Sequence, residues 1–416
     1  MIAPLSTGGR CGMAERARLG RVASSYVVVW FLFVFAWAAN FVIRVGFSAL
    51  LPPIIREFDL SYARAGALAS AFFWAYMAMQ IPSGLLGDRF GRRRVLLVGL
   101  VGVAAATALT GLAGSFAALV AARLLTGAGQ GSLFSNDRAI IASVTPRERI
   151  GLGQGVSFTG PGLGITLGLM AGGVLAEALS WRVVLFLFAL APLGAALAIG
   201  RWVPPTPPSA GAAALWPRLR AVLVVRGVWV LGAAGACGIY VQFVLATWAP
   251  MFFIETGVQG LARVGTLASL QGLAAVAGLI TGGWGDDRLR RRGVRHTTVM
   301  AAGLAALAVS MAGMTLALAR GSSVGLGVTL LIAAFFVWGI WGSSYALLGE
   351  LVADANLGVA FGLVNSICFV GAIVGPAVTG WTRDLTGTFA SGCAVAVVVA
   401  LAGAAIAAMT PAPARR

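Results

Sequence analysis

A short basic stretch occurs twice in the chain, once in each half, and in both places it separates two long apolar runs. The first copy reads Gly-Leu-Leu-Gly-Asp-Arg-Phe-Gly-Arg-Arg-Arg and covers 84–94. The second copy, Gly-Trp-Gly-Asp-Asp-Arg-Leu-Arg-Arg-Arg-Gly, covers 283–293, so that Asp287 follows Asp88 by 199 positions. Two such loops half a chain apart indicate an internal duplication, and the flanking apolar runs predict a duplicated membrane protein.

The composition requires a bilayer as the solvent for most of the chain. Of the 416 residues, 59% are hydrophobic and 10% are charged, whereas soluble proteins carry about 25% charged residues. Glycine occurs 57 times, as expected where small residues let membrane helices approach closely. The sequence shows no nucleotide-binding loop, metal-ligand cluster or nucleophile triad of an enzyme, and we expect neither a cofactor nor a bound metal.

The basic charge is concentrated in loops on one side of the predicted membrane. The net charge is +17, and all 30 cationic residues are arginine. Because the arginines occur mainly in the N-terminal tail and in short loops between apolar runs, they fit the positive-inside pattern and not a nucleic-acid surface. We therefore predict a multi-pass protein of the cell inner (cytoplasmic) membrane with both termini in the cytoplasm.

Apolar runs of about 20 residues, the length that spans a bilayer, predict an all-α membrane protein with twelve transmembrane helices. They form an N-terminal six-helix bundle over 25–200 and a C-terminal six-helix bundle over 226–410. The linker 201–225 and the tails 1–24 and 411–416 are expected in the cytoplasm. The predicted helices cover 25–50, 61–86, 94–114, 116–141, 150–176, 181–200, 227–254, 262–284, 297–318, 325–348, 357–381 and 388–409.

The repeated loop resembles the signature between helices two and three of the major facilitator superfamily. Its glycines permit close helix approach and a tight turn, and Asp88 can pair with arginines at a facing helix end. The resemblance implies two six-helix pseudo-repeats, the major facilitator fold, with the substrate site at the midplane between them. It also implies a gating role for Gly84, Asp88, Arg89, Gly91, Arg92 and Arg93 in the first copy and for Asp287 and Arg288 in the second.

Within that superfamily, three stretches resemble the organic anion:cation symporters, namely 44–61, 248–253 and 361–387. The resemblance implies a small organic anion as substrate, a coupling cation such as a proton, and a first-helix arginine, here Arg44, that binds the anion. Two positions depart from the proton-coupled members, which carry acids where this chain has Ile43 and Gln130. If protons drive transport, an acid at another position must carry the coupled proton.

Charged groups inside apolar helices are candidates in their own right, because a charge at mid-bilayer is costly. Arg44, with Asn40 one turn earlier, presents a planar guanidinium that can bind a carboxylate; the alternative is a side chain that reaches the outer interface. Asp137 is the candidate proton carrier and Arg138 a candidate substrate ligand. For Asp137 the alternative is an ion pair between helices. Because neighbouring positions on a helix point in different directions, we expect Asp137 and Arg138 to face different neighbours, and Arg123 to be structural.

Other polar side chains inside the apolar runs are further candidates for substrate binding. In the resembled fold helices one, four, seven and ten line the cavity, which favours polar residues there. The alternative for each is a hydrogen bond between packed helices. The candidates are Tyr76, Tyr240, Gln242, Tyr345 and Asn365.

These observations predict a secondary active transporter that moves a small carboxylate-type anion by alternating access with a coupling cation. One alternative is a proton-coupled exporter of drugs or metabolites from the same superfamily, which needs an aromatic cavity and an essential acid. An alternative of another class is a non-transporting membrane sensor or assembly partner. The expected partners are the small-molecule substrate, the coupling cation and the lipid bilayer, with no nucleic acid, and the expected state is a monomer.

Overall fold

The structure, a computed structural model, describes residues 8–206, 208, 215–353 and 356–410, with side chains from Tyr26 onward except at 215. The predicted tail 411–416, the first seven residues of the predicted tail 1–24 and part of the predicted linker lie outside the described residues. All regular secondary structure in the described ranges is helical.

The N-terminal half begins several of its helices at serine caps. The Oγ atoms of Ser61, Ser115 and Ser180 accept hydrogen bonds from first-turn N–H groups and so start α2, α4 and α8. The helices of this half are α1 (Gly8–Phe58), α2 (Tyr62–Phe90), α3 (Arg92–Gly111), α4 (Phe116–Gln130), α5 (Leu133–Val144), α6 (Ile150–Ser157), α7 (Gly160–Ala178) and α8 (Trp181–Trp202), with a 3-10 turn at Arg147–Arg149.

The C-terminal half has longer, unbroken helices and follows a short linker helix that the sequence pattern did not predict. Ser322 caps the first turn of α13 in the same way as the serines of the other half. The helices are α9 (Leu215–Leu223) in the linker, then α10 (Arg226–Glu255), α11 (Leu261–Arg291), α12 (His296–Ala319), α13 (Ser323–Leu351), α14 (Leu357–Thr386) and α15 (Ala390–Ala408).

Ten helical segments of the described chain are long and apolar enough to cross a membrane. The two predicted spans that are not among them are 61–86, which corresponds to α2, and 116–141, which the structure divides into α4 and α5. Both pack against other helices of the bundle, α2 against α4 and α14 and α5 against α3. The all-helical membrane architecture is confirmed, and the count of twelve stays a prediction.

Two helices of the N-terminal half differ from their predicted bounds in ways that affect the site. The first helix continues beyond 50, through Pro52 and Pro53, to Phe58. Neighbouring helices can satisfy the backbone groups that proline leaves free, and as a result Arg44 lies near the middle of the apolar segment Tyr26–Phe58. The predicted helix 116–141 is interrupted directly after Gln130, the residue that contacts Arg44.

The two halves pack along two helix pairs that the duplication relates, α2 with α14 and α7 with α11. Glycines let the second pair approach closely. A Cβ atom on Gly173 would lie 2.8 Å from the Cα atom of Gly265, so that a larger residue at either position would push the two backbones apart.

The halves are joined toward the end of the bundle opposite the arginine-rich loops 84–94 and 283–293, called here the arginine-poor end. In the described residues the hydrogen bonds between the halves are those of Asp384 with the Tyr62 and Ala63 N–H groups, Ser70 with the Ile373 carbonyl, and the Ala262 N–H with Glu177. The bundle is therefore closed at its arginine-poor end.

Candidate functional site

Arg44 is buried in the interior of the N-terminal half, near the middle of the apolar segment of α1. Its guanidinium carbon lies 4.6, 5.1 and 4.5 Å from the ring centroids of Phe41, Phe72 and Tyr76. Its Nε atom donates a 3.1 Å hydrogen bond to the side-chain oxygen of Gln130. No carboxylate in the described part of the chain lies within ion-pair distance of it. The structure excludes the alternative in which Arg44 reaches the outer interface, because the residue is only 5% exposed.

Arg123 provides a second buried guanidinium beside the first. Its guanidinium carbon lies 4.2 Å from the ring centroid of Phe47 and 4.9 Å from that of Phe72, the same ring that Arg44 contacts. Its Nε atom is buried and has no hydrogen-bond partner among the described atoms. Gly127, one turn later, brings α4 so close to Phe72 that a Cβ there would collide with the Phe72 carbonyl. Our expectation that Arg123 is structural missed this proximity.

Gln130 places a neutral amide, not a carboxylate, beside the Arg44 guanidinium. Its Nε2 atom donates to the Asn40 carbonyl at 3.0 Å, which holds the amide between α4 and α1. Asn40 donates in turn to the Ala36 carbonyl at 2.8 Å, and its own Oδ1 atom is buried without a partner among the described groups. The predicted ligands Arg44 and Asn40 are thus joined by Gln130.

Asp137 and Arg138 form a salt bridge with each other, with 2.8 Å between Asp137 Oδ2 and Arg138 Nη2. Our expectation that they face different neighbours is wrong, because the long arginine side chain folds back over the preceding carboxylate. Asp137 also accepts a 2.7 Å hydrogen bond from the Trp37 indole, and Arg138 donates to the Gln154 carbonyl and Ser157 hydroxyl. The pair therefore connects α5 to α1 and α6. The predicted roles of Asp137 as proton carrier and Arg138 as substrate ligand stay predictions.

The described residues around α1 carry an excess of positive charge. The region contains three guanidiniums, those of Arg44, Arg123 and Arg138, and one carboxylate, that of Asp137, which pairs with Arg138 and leaves two positive charges in excess. Trp37, which binds Asp137, precedes Arg44 by seven residues, about 10 Å along a helix. Because burial makes an unbalanced charge costly, this region favours an anion.

A small pocket lies between the halves on the other side of Phe41. It is lined by side chains from α1, α7, α10, α11 and α13, including Gln242, Gln271 and Trp338. The Phe41 ring lies 6.2 Å from that of Trp338 and also contacts Arg44, so one side chain borders both the pocket and the Arg44 guanidinium. Gln242 accepts a 3.4 Å hydrogen bond from the Trp341 indole.

The other predicted ligands belong to two groups. Tyr76 joins the Arg44 site to the C-terminal half, because its ring lies 4.7 Å from that of Phe369. The remaining three lie on the C-terminal half. Tyr240 has a buried hydroxyl and Asn365 a buried amide nitrogen, both without partners in the described residues, and the half-buried Tyr345 packs 5.8 Å from Trp341. Their roles in binding stay predictions.

The first copy of the loop motif connects the α2–α3 turn to its neighbours. Asp88 pairs with Arg92 one turn later, at 2.5 Å, and Arg92 reaches the Ser135 carbonyl of α5 beside Gly84. The Arg93 side chain donates to the Gly200 carbonyl of α8. Gly91 has a φ of 91°, which favours glycine at this turn. Arg89 is exposed. The gating role of these residues stays a prediction.

In the second copy the residues that make contacts are one position earlier than the motif alignment indicates. Asp287 and Arg288 are exposed, whereas Asp286 is buried and lies 2.7 Å from His296 Nδ1. Arg290, four residues after Asp286, pairs with Glu350 of α13. Asp286 and Arg290 are four residues apart, as Asp88 and Arg92 are. The structure selects Asp286 and not Asp287 because α11 turns Asp286 toward His296 of α12.

Two carboxylates at the arginine-poor end cap helices of the opposite half. Asp384 of α14 accepts the N–H groups of Tyr62 and Ala63 at 2.9 and 2.7 Å, at the start of α2. Glu177 of α7 accepts the N–H group of Ala262 at 2.5 Å, at the start of α11. A carboxylate at a helix N-terminus stabilises unpaired N–H groups and the positive end of the helix dipole. All three hydrogen bonds must break if the halves separate at this end.

We expect the double variant Asp384→Ala, Glu177→Ala to favour the conformer that is open at the arginine-poor end. Each lost cap costs about 1 kcal/mol, and two shift the ratio of conformers by roughly 30-fold. The measurement is the electron–electron resonance distance between spin labels at Arg56 and Arg320, in a background without native cysteines. Glu57→Ala is the control, because Glu57 binds Arg182 within one half. An unchanged distance distribution in the double variant would contradict the prediction.

Two joined helical bundles of membrane-spanning helices with charged side chains buried inside them are typical of a membrane transport protein. The profile of the Major Facilitator Superfamily matches residues 29–376, and the chain belongs to that superfamily. It is a transporter and not an enzyme. The predicted resemblance is confirmed.

The chain is similar in sequence to named transporters and in fold to a solved transporter structure. The chain is 27% identical over 372 residues to the probable sulfoacetate transporter of Cupriavidus necator, covering 83% of this chain and 84% of the relative. It is 23% identical over 382 residues to the hexuronate transporter of Bacillus subtilis, covering 87% and 89%. Its fold is similar to the crystal structure of a bacterial homolog of the human lysosomal transporter Spinster in an inward-facing, occupied conformation. That likeness has a TM-score of 0.80 and 16% identity, over 93% of this chain and 97% of that one.

Proposed function

We propose that the protein transports a small organic anion across the cytoplasmic membrane by alternating access, with Arg44 and Arg123 as the anion ligands. The observation that carries the proposal is the pair of buried guanidiniums on Phe72, neither of which has a carboxylate partner in the described residues. A buried cation without a counter-charge is unfavourable unless a ligand supplies one, and a guanidinium fork matches a carboxylate or sulfonate.

The excess of two positive charges favours a dianion over a monoanion. Relatives named for sulfoacetate and for a hexuronate support organic anions as the substrate class. The exporter alternative needs an essential acid, and the candidate acid, Asp137, already has Arg138 as its partner. The sensor alternative gives no reason for two unpaired guanidiniums inside a helix bundle.

The orientation follows from the arginine loops. The arginine-rich end faces the cytoplasm, as the positive-inside rule requires, so both termini are cytoplasmic. The hydrogen bonds that join the halves toward the arginine-poor end then lie on the outer side of the membrane. Alternating access requires the same halves to close at the arginine-rich end, around the first loop motif.

The proposed function is tested by the melting temperature of the purified protein with a defined panel of solutes. The panel contains the dianions sulfoacetate and malonate, the monoanions glucuronate and propionate, and glucose with a cationic dye as controls. A ligand at 100 times its Kd stabilises the folded state by about 2.7 kcal/mol. We expect the dianions to raise the melting temperature most and the controls to leave it unchanged. Stabilisation by the dye alone would support the exporter alternative instead.

A further inference from the structure

We propose that this protein is an obligatory anion exchanger: one anion is carried in only when another is carried out, without a coupled proton. The inference rests on the proposed function, because it takes Arg44 and Arg123 as substrate ligands. The observation that supports the inference is that the hydrogen-bond partner of the Arg44 guanidinium is neutral. Arg44 donates to the amide oxygen of Gln130 at 3.1 Å and pairs with no acid in the described residues.

The argument concerns the return of the empty carrier. A transporter changes its open side through a state in which the site is closed to water on both sides. With an anion bound, the two guanidiniums are neutralised in that state. Without one, both must be buried with no counter-charge, which carries a large desolvation penalty. The loaded protein therefore crosses between its two conformers much faster than the empty protein does.

A proton-coupled carrier avoids this penalty with an internal acid that pairs with the cation once the substrate has left. The side chains that contact the two guanidiniums include no carboxylate and no histidine in the described part of the chain. They are Phe41, Phe47, Phe72, Tyr76 and Gln130. Asp137 cannot replace the missing acid without leaving Arg138 unpaired, because the two form a salt bridge.

Gln130 is accordingly the residue that decides the mode of transport. A glutamate at this position would place a carboxylate beside Arg44 Nε, although it would lose the hydrogen bond that Gln130 donates to the Asn40 carbonyl. The empty site would then contain one internal ion pair, and the empty carrier would cross between conformers more easily. In this variant we expect the protein to move an anion in one direction without carrying another anion back.

The experiment uses purified full-length protein in liposomes loaded in turn with each of the four radiolabelled anions of the panel. Efflux is measured into chloride buffer with and without the same unlabelled anion outside. We expect efflux to be at least tenfold faster with the external anion, and an inward proton gradient to drive no uptake against an anion-free interior. Equal efflux rates in the two buffers, or proton-driven net uptake, would overturn the inference. Transport of none of the four anions would instead refute the proposed function.

A pair of variants at one position separates charge from shape. We expect Gln130→Glu to bring the two efflux rates within about twofold, and Gln130→Asn, which also removes glutamine but stays neutral, to keep the large ratio. If Gln130→Glu is transport-active and keeps the wild-type ratio, the neutral amide is not the cause of exchange and the inference is wrong. If Gln130→Glu does not transport, the ratio of the wild-type efflux rates with and without external anion tests the inference by itself.

Discussion

Replacement of Arg44 by lysine should weaken binding of the preferred dianion by well over tenfold, although the charge is kept. Lysine is a point donor and cannot present the planar fork of the guanidinium. The loss of a desolvated, charge-assisted contact is worth on the order of 2–4 kcal/mol. Arg123→Lys should have a loss of the same order, because Arg123 is equally buried and lies on the same ring. Isothermal titration of the purified variants measures both losses.

Removing the Arg44 charge should weaken function but stabilise the ligand-free protein. Arg44→Met should abolish anion transport and yet raise the melting temperature of the ligand-free protein. The reason is that an unpaired buried cation carries a desolvation penalty, whereas methionine fills the space among Phe41, Phe72 and Tyr76 without one. A lower melting temperature, together with normal transport, would show that Arg44 is a structural residue.

The second large effect concerns Asp137 and Arg138. Asp137→Asn should destabilise the protein by about 3–5 kcal/mol, because it leaves Arg138 without a counter-charge in a largely buried position. The double variant Asp137→Asn, Arg138→Gln should recover most of that loss, since replacing both members of a buried pair is often neutral. Chemical denaturation of the wild type, the two single variants and the double variant gives the coupling energy directly.

The double variant also separates the two roles considered for Asp137. If the carboxylate only connects helices, the double variant transports anions at the wild-type pH dependence. If Asp137 is the proton carrier, the double variant folds but loses any response of transport to a proton gradient. The second outcome would restore the cation-coupled mechanism and contradict obligatory exchange.

The sequence was sufficient for the features that depend on composition and local pattern. Apolar runs predicted the helices, and a guanidinium inside such a run singled out Arg44. The contact of Arg123 with Phe72 could not be predicted, because it depends on the close approach of α4 to α2 at Gly127. The R-x-x-x-G pattern that contains Arg123 and Gly127 was the available signal.

Two other differences arise from side-chain geometry that a linear pattern does not contain. Arg138 is long enough to turn back onto Asp137, so the 100° between neighbouring helix positions does not separate them. In the second loop motif, the choice between Asp286 and Asp287 depends on which face α11 presents to α12. Both choices are made by packing between helices and not by the local sequence.

The most direct test of the two-arginine site is a structure of the protein saturated with the dianion that binds most tightly. The account predicts that the anionic groups lie within hydrogen-bond distance of both Arg44 and Arg123, next to Gln130. An anion bound instead in the pocket lined by Gln242 and Gln271, with both guanidiniums still packed against Phe72, would contradict it.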